Sequence, residues 1–125
     1  MNTSSVQPKS PKIAYTVGEP AGIGAELILQ LAQHDAVSDI AVIGDKALLA
    51  HRAKQLGITI PEGLAILDTP IANINCCGNA KPENVSGVMT MLNKAIDGCI
   101  SGEFSAIVTG PLHKGIINEL SLIHI

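Results

Sequence analysis

The first apolar segment of the chain is followed by a glycine-rich turn and then by an apolar pattern of different spacing. Residues 13–17 form a short run rich in β-formers, which predicts a buried strand. Three glycines and one proline follow within residues 18–24. Across residues 25–32 the apolar positions recur at helical spacing, and one side of this helix carries Ile23, Leu27, Ile28 and Leu31. The pattern therefore predicts a strand, a tight turn and a helix, in that order.

The same alternation of strand and helix patterns continues along the chain. Further strands are predicted at residues 40–45, 58–60, 64–68 and 106–109. Helices are predicted at residues 46–56, from Asn84 or Ser86 to about Ser101, and from 116 onward, with Gly57 and Gly102 ending the first two. The first of these helices carries at helical spacing Leu48, Leu49, Arg52, Ala53 and Leu56. The second is expected to bury Val88, Met91, Leu92, Ala95, Ile96 and Cys99. This rhythm is typical of βαβ units, so we expect an α/β fold with a mostly parallel sheet.

Two segments lack this periodicity. Residues 1–12 are rich in Ser, Pro and Lys, as disordered leaders are. Residues 69–83 contain three asparagines, a glycine and two prolines near their ends, and they predict a long loop. Such a loop is either an excursion over an active-site mouth or a simple crossover.

Composition limits the core and the partners that the chain can have. With 125 residues there is room for one domain. Hydrophobic residues make up 46% and aromatic residues 2%, so the core must consist of Ile, Leu, Val and Ala, as in parallel sheets. No apolar run approaches the ~20 residues of a membrane span, and a net charge of −3 without a basic cluster argues against nucleic acid. The three cysteines lack disulfide or metal-ligand spacing, which indicates reduced thiols in the cytoplasm.

Chemistry is expected where the predicted strands end in glycine and proline. The turn at residues 18–24 brings backbone N–H groups to the start of a helix, where donors and helix dipole together stabilise a phosphate or carboxylate. The alternative is a turn that only connects strand and helix. In open parallel sheets ligands bind beyond the carboxyl ends of the strands, and the turn lies at such an end.

A second turn of this kind, at residues 109–115, follows the strand at 106–109. Within it Lys114 could hold a phosphate as a point charge, and His113 could donate a hydrogen bond to a ligand oxygen or shuttle a proton. The alternative is that both are solvated loop residues. Because two such turns each follow a buried strand, a binding site is favoured over solvated loop residues.

Neither turn matches a standard nucleotide-binding fingerprint. Gly22 and Gly24 supply the first two glycines of G-x-G-x-x-G, but Leu27 stands where the third belongs. Asp45 follows the second predicted strand, where a ribose-binding acid would fall, and it is equally well placed to cap the helix at 46–56. No cluster of His, Asp and Glu has metal-site spacing.

Two segments of the sequence resemble a known enzyme family. They read YTVGEPAGIGAE at residues 15–26 and DGCISGEFSAIVTGPLHKGIIN at residues 97–118. In order and separation they resemble the N-terminal portion of the 4-hydroxythreonine-4-phosphate dehydrogenase family, PdxA. The resemblance covers about residues 13–119.

This resemblance implies a fold, an activity and a cellular context. The fold would be a three-layer α/β/α fold of the isocitrate/isopropylmalate dehydrogenase-like class, incomplete here, and the enzyme a cytoplasmic homodimer in pyridoxal phosphate (vitamin B6) biosynthesis. The activity would be NAD- or NADP-dependent oxidation of 4-phosphohydroxy-L-threonine to a 3-oxo acid, which decarboxylates to 3-amino-2-oxopropyl phosphate. A divalent metal (Zn, Mg or Co), held by family histidines beyond this segment, would polarise the substrate hydroxyl.

The residues and the resemblance together point to both turns as the place where substrate or cofactor binds. The candidates are Gly18, Glu19, Pro20, Gly22, Gly24, Thr109, Gly110, His113 and Lys114. No catalytic residue and no metal ligand is expected within this segment.

The end of the chain departs from the family pattern after Glu119. Residues 120–125 read LSLIHI and do not continue that pattern, so His124 is not assigned to the substrate. We expect this hexapeptide to be an artefact of a sequencing adapter; a genuine frameshift or divergent terminus is the alternative. Because such a fragment would leave sheet edges and apolar faces open, we expect the chain alone to lack dehydrogenase activity and cooperative unfolding.

Two other functional readings stay open. One is a related enzyme of the same fold, either a phospho-threonate or phospho-erythronate dehydrogenase or a phosphate acyltransferase. The other is a non-catalytic module that binds phosphate. His113 within GPLHKG favours the hydroxythreonine-phosphate enzyme over the related enzymes of the same fold.

Overall fold

The computed structural model describes residues 12–34 and 37–112. Four strands are present: β1 (Ile13–Thr16), β2 (Ile40–Gly44), β3 (Ala65–Asp68) and β4 (Ala106–Thr109). Three helices alternate with them: α1 (Gly24–His34), α2 (Lys46–Leu56) and α3 (Val85–Ser101), the last preceded by a short 3₁₀ turn (Pro82–Asn84). None of the helices in these ranges is long and apolar enough to cross a membrane. The predicted elements are thus confirmed, apart from the strand at 58–60 and the helix from 116, which lies outside the described residues.

The predicted strand at residues 58–60 is wrong. The N–H of Ile58 donates to the carbonyl of Ala53 at the end of α2, and the carbonyl of Thr59 accepts from the side chain of Gln33 at 2.8 Å. These bonds use backbone groups that a sheet ladder would need. Ile58 and Ile60 pack against the core from this irregular segment, which explains their apolar pattern.

The four strands form one parallel sheet in the order β3-β2-β1-β4. β1 pairs with both β2 and β4, so that Tyr15 lies beside Val42 on one side and Val108 on the other. β2 and β3 pair in parallel through Val42 and Ile66. The expectation of a mostly parallel sheet is therefore confirmed.

Helices cover both faces of this sheet. Tyr15 and Val108 share a hollow with Leu27 of α1, so this face of the sheet lies under α1. Leu67, whose register places it on the opposite face, lies beside Lys94 of α3. α1 also contacts α2 through an ion pair, which puts both helices on one face and α3 on the other. The chain is a three-layer α/β/α structure.

The core lies between the two central strands and the inner sides of the helices. Its fully buried residues include Ala14, Val42, Ile43, Leu29, Leu48, Leu49 and Met91. The outer strands β3 and β4 are mainly exposed, and in β4 every residue is exposed. Only part of the predicted apolar side of α1 is buried in the core. Ile28 is buried, but the side chains of three others are 58, 48 and 41% exposed: Ile23, Leu27 and Leu31. On α3, Ile96 is likewise 47% exposed, contrary to the expectation that it is buried.

The helix ends follow the sequence signals closely. Asp45 caps α2 by accepting from the N–H of Leu48 at 3.0 Å, and Gly57 and Gly102 end α2 and α3 in the left-handed conformation. Asn84 makes no side-chain cap bond to α3. It is buried and pairs instead with Asn73, each donating to the other at 2.8 Å. This pair fixes the middle of the loop at 69–83 to the start of α3.

Candidate functional site at the carboxyl ends of β1 and β4

The two glycine turns lie side by side at one edge of the sheet. The N–H of Glu19 donates to the carbonyl of Pro111 at 2.8 Å, and the N–H of Gly110 donates to the carbonyl of Thr16 at 2.6 Å. Gly18 has a φ of +77°, and a Cβ placed on it would lie 2.6 Å from the Pro111 oxygen. A side chain there would push the turns apart, so their contact requires glycine. We call residues 18–24 and 110–112 the glycine rim.

The strand order places the glycine rim at a topological switch point. β1 and β4 are neighbours although they are the first and last of the four strands. The chain leaves β1 for α1 on one face of the sheet, whereas it reaches β4 from α3 on the other face. In open α/β sheets the crevice beyond the carboxyl ends of the strands at such a point is where ligands bind.

The first glycine turn uses part of its own hydrogen-bonding capacity. The Glu19 carboxylate accepts from the N–H of Ala21 at 2.9 Å, and the Glu19 carbonyl accepts from the N–H of Gly22 at 3.0 Å. The N–H groups of Ile23 and Glu26 find no acceptor among the described residues. The N–H groups of Ile23 and Glu26 at the start of α1 are therefore suited to bind an anion. The N–H of Ala21 is not, because it already donates to the Glu19 carboxylate.

A buried arginine lies behind this turn. Arg52 of α2 has no exposed surface. Its guanidinium donates to the carbonyls of Pro20 and Gly22, and Nη1 lies 2.9 Å from Oε2 of Glu26. The sequence contains a signal for this role, because Arg52 occupies an apolar position of the predicted helix at 46–56. Arginine is almost never fully buried unless it is paired.

The loop at residues 69–83 also reaches the glycine rim. The N–H of Gly78 donates to the carbonyl of Ala21 at 2.9 Å. Cys76 is buried close to Arg52; burial raises the pKa of its thiol, and the Arg52 charge acts in the opposite direction. Of the two alternatives for this loop, its course over the turn therefore favours an excursion over the candidate site.

Asp45 is a capping residue in this structure. One carboxylate oxygen accepts from the N–H of Leu48 at 3.0 Å and the other accepts from the N–H of Ile71 at 2.7 Å. Asp45 is 5% exposed. Because both oxygens already accept hydrogen bonds from backbone N–H groups, we do not expect this carboxylate to bind a ribose.

An apolar hollow of about 650 Å³ lies between α1, β1 and β4, next to the glycine rim. Its lining includes Ile13, Tyr15, Leu27, Leu31, Val108 and Leu112. The hydroxyl of Tyr15 donates to the carbonyl of Gly24 at 2.8 Å and so links the hollow to the first turn of α1. Burial raises the pKa of Tyr15 above its ordinary value of 10.0.

The structure brings together most of the predicted site residues. Gly18 to Gly24 and Gly110 meet in the glycine rim, and Thr109 ends β4 beside them with an exposed side chain. His113 and Lys114 lie outside the described residues. Within residues 12–34 and 37–112, no group of three or more His, Cys, Asp or Glu side chains is arranged to hold a metal ion.

The sequence matches a described protein family over most of its length. The family of the pyridoxal phosphate biosynthetic protein PdxA matches residues 25–124. This range includes most of residues 120–125, which lie outside the described part of the structure and whose origin in an adapter stays a prediction.

Two curated relatives carry the same name. A 4-hydroxythreonine-4-phosphate dehydrogenase of Chromobacterium violaceum is 44% identical over 124 aligned residues, covering 90% of this chain and 38% of that protein. Another, of Vibrio cholerae, is 42% identical over 125 residues, covering 88% of this chain and 38% of that protein. The chain therefore spans about two fifths of the length of these relatives.

Solved structures agree in fold. The crystal structure of 4-hydroxythreonine-4-phosphate dehydrogenase from Klebsiella pneumoniae matches with a TM-score of 0.76 at 22% identity, covering 92% of this chain and 41% of that one. That from Burkholderia phymatum matches with a TM-score of 0.75 at 25% identity, covering 89% and 39%. With the family match over residues 25–124, these findings establish that the chain belongs to the PdxA family.

Proposed function

We propose that the glycine rim forms part of the substrate and cofactor site of a 4-hydroxythreonine-4-phosphate dehydrogenase. The enzyme would oxidise 4-phosphohydroxy-L-threonine in pyridoxal phosphate biosynthesis. The relatives' names and the family match support this assignment. The observation that carries the proposal is the direct contact between the two turns at the switch point of the sheet.

The chemistry that this site would serve is an oxidation followed by loss of carbon dioxide. The C3 hydroxyl of the substrate loses its proton and the C3 carbon loses a hydride, which gives a 3-oxo acid. The carboxylate then leaves as carbon dioxide, the electron pair of the broken C–C bond stays on the substrate, and uptake of a proton at C2 gives 3-amino-2-oxopropyl phosphate. NAD or NADP, when bound, supplies the acceptor for the hydride.

The chain's own residues would bind and orient the phosphorylated ligand. The N–H groups of Ile23 and Glu26 at the start of α1 suit a phosphate oxygen. Lys114 would add a positive charge next to that phosphate, and His113 would hydrogen-bond a ligand oxygen. Both follow Leu112 of the glycine rim within two residues of the sequence.

The described residues fit a phosphate better than a whole dinucleotide or a metal. Asp45 is occupied by backbone donors, and no metal-ligand group is present in residues 12–34 and 37–112. A metal, when bound, would therefore take its ligands from outside these ranges. A cytoplasmic homodimer with a phosphorylated amino-acid substrate is part of the same proposal.

A chimeric enzyme tests the proposal directly. Residues 13–119 of this chain replace the matching segment of the Chromobacterium violaceum relative, which is 44% identical. We expect the chimera to reduce NAD or NADP with 4-phosphohydroxy-L-threonine, measured by absorbance of the reduced nicotinamide. Lys114→Met should raise the KM for the substrate at least tenfold, because one charge on the phosphate is lost.

The matched control is Lys54→Met, which removes a positive charge from the exposed side of α2. It should leave KM and kcat unchanged. Three results with a folded chimera would contradict the assignment: a preference for phospho-threonate or phospho-erythronate, transfer of an acyl group to phosphate, or binding of phosphate without turnover. Equal effects of the two lysine variants would contradict the role of Lys114.

A further inference from the structure

Arg52 contacts the first glycine turn at two of its carbonyl groups. Nη1 donates to the carbonyl of Gly22 at 3.1 Å, and Nη2 donates to the carbonyl of Pro20. Nη1 also contacts both carboxylate oxygens of Glu26, at 3.0 and 2.9 Å, in the first turn of α1. One planar guanidinium therefore connects α2 to the turn and to the helix that follows it.

These two contacts set the direction of the backbone donors. In a trans peptide the carbonyl and the N–H of the same plane point in opposite directions. Because the carbonyls of Pro20 and Gly22 point toward Arg52, the N–H groups of Ala21 and Ile23 point away from it. The N–H of Ala21 faces the Glu19 carboxylate, and that of Ile23 is without an acceptor among the residues the structure describes.

The loop at residues 69–83 holds the turn from another side. The carbonyl of Ala21, which lies between the two carbonyls that Arg52 contacts, accepts from the N–H of Gly78. Cys76 of the same loop is buried near the Arg52 guanidinium. Three successive carbonyls of the turn, at residues 20, 21 and 22, are thus all fixed from within the protein.

The charge of Arg52 is not available to a ligand. The side chain has no exposed surface, and its guanidinium is paired with Glu26, whose side chain is 25% exposed. A ligand at the outer side of the turn would meet the backbone donors and not the arginine. The influence of Arg52 on binding would therefore act through geometry, which distinguishes it from Lys114.

We propose that Arg52 is a positioning residue that holds the carbonyls of residues 20 and 22 inward and so presents the N–H groups at the start of α1 to the phosphate of the ligand. The identity of that ligand rests on the proposed function. The conformational part of the proposal does not, because it depends only on contacts within the chain.

Hydrogen exchange of individual amides in the 125-residue chain tests the conformational part. In Arg52→Lys the charge opposite Glu26 is kept, but a single nitrogen cannot contact Glu26 and both carbonyls together. We expect amides of residues 21–24 to exchange at least tenfold faster than in the parent chain, while amides of β1 and β2 keep their rates. Arg52→Met should produce a larger change at the same amides.

Lys54→Met, on the same helix, is the matched control and should change none of these rates. The proposal is overturned if the Arg52 variants leave the turn unchanged, or if they accelerate turn and sheet amides by the same factor, as general destabilisation would. It is also overturned if the turn of the parent chain exchanges as fast as unstructured peptide. Should Arg52→Met not fold, Arg52→Lys decides.

Inorganic phosphate and NAD, added separately, test the ligand part. In the parent chain either should slow the exchange of the amides of residues 23–26, and Arg52→Lys should abolish this protection. If neither ligand protects the parent chain, the proposed function of the turn fails, yet the exchange rates without ligand still decide whether Arg52 positions it. If protection survives in Arg52→Lys, the positioning role in binding is wrong.

Discussion

The two sides of helix α1 differ sharply although both are rich in apolar residues. On the inner side Ala25, Leu29 and Ala32 are buried, and Glu26 pairs with Arg52 of α2. On the outer side Ile23, Leu27 and Leu31 form a stripe at intervals of four residues, and each is at least 41% exposed. Helical periodicity identifies apolar positions, but it does not tell which of them another element covers.

The outer side adjoins the hollow beside β4, whereas the inner side adjoins the hydrogen-bonded contacts behind the glycine rim. The side that fixes the candidate site is therefore also the side that carries the core. Substitutions on the inner side should cost stability, and equivalent ones on the outer side should cost little.

The largest effect is expected from removing a leucine on the inner side. Leu29 is fully buried, so Leu29→Ala should lower the free energy of unfolding by about 3 kcal/mol through lost burial and a residual cavity. The same change at Leu31, which is 41% exposed, should lower it by less than about 1 kcal/mol. Because we do not expect the chain alone to unfold cooperatively, hydrogen exchange of the β1 and β2 amides in both variants measures the difference. Equal losses of protection would refute the contrast between the two sides.

Gly24 begins α1 against the end of β1. A Cβ there would lie 2.0 Å from the carbonyl oxygen of Val17, and that backbone cannot move without disturbing the strand. Gly24→Ala should therefore lower the free energy of unfolding by about 2 kcal/mol.

The control for Gly24 is Gly63, around which a Cβ would meet nothing within 4 Å. Gly63→Ala should leave the exchange rates of the sheet amides unchanged or lower them slightly. If Gly24→Ala leaves these exchange rates equally unchanged, α1 can shift away from β1.

Asp45 links the start of α2 to the loop that crosses the candidate site. Asp45→Ala removes acceptors for the N–H groups of Leu48 and Ile71 and should cost about 1.5 kcal/mol. Exchange of the Ile71 amide should rise by more than that of the sheet amides. Asp39→Ala, at an exposed position, serves as control and should change neither quantity.

Tyr15 lines the hollow on the outer side of α1, and its effect should be the smallest. Tyr15→Phe loses the bond to the Gly24 carbonyl and should cost about 1 kcal/mol at neutral pH. Because burial raises the pKa of Tyr15 in the folded chain, the phenol is more easily ionised when unfolded. Its contribution is present below the ordinary pKa of 10.0 and is lost as the pH rises from there through the raised value.

The raised pKa of Tyr15 is checked by titrating the phenol of the parent chain at alkaline pH, in buffer and in denaturant. Tyr15 is the one tyrosine of the sequence, so its absorbance on ionisation is observed without overlap from another. The phenol should ionise at a higher pH in buffer than in denaturant, because burial raises its pKa. Equal titration curves would mean that the phenol is not desolvated by folding.

Much of the fold is readable from the sequence because its signals are local. The bounds of α2 and β4 agree with their predicted ranges, and Asp45, Gly57 and Gly102 act at the helix ends as their residue types indicate. The strand predicted at residues 58–60 is wrong because its apolar residues are explained equally well by packing of an irregular segment. Short apolar runs do not distinguish the two.

Only part of the candidate site could be predicted from the sequence. The glycine turns are visible in the sequence, as is a resemblance to the PdxA family. The contact of Arg52 with the first turn, however, joins residues that are 30 positions apart in the sequence, so no local pattern could predict it. Asp45 had two compatible roles, and only the position of Ile71 shows that its second oxygen is engaged.

The sequence by itself determined the order of strands and helices, the helix ends and the two glycine turns, because each depends on neighbouring residues. The tertiary structure decided that β4 lies next to β1, that the two turns therefore touch, and that Arg52 holds one of them from behind. The physical reason is that strand order and buried pairing arise from contacts between distant segments, for which periodicity carries no information.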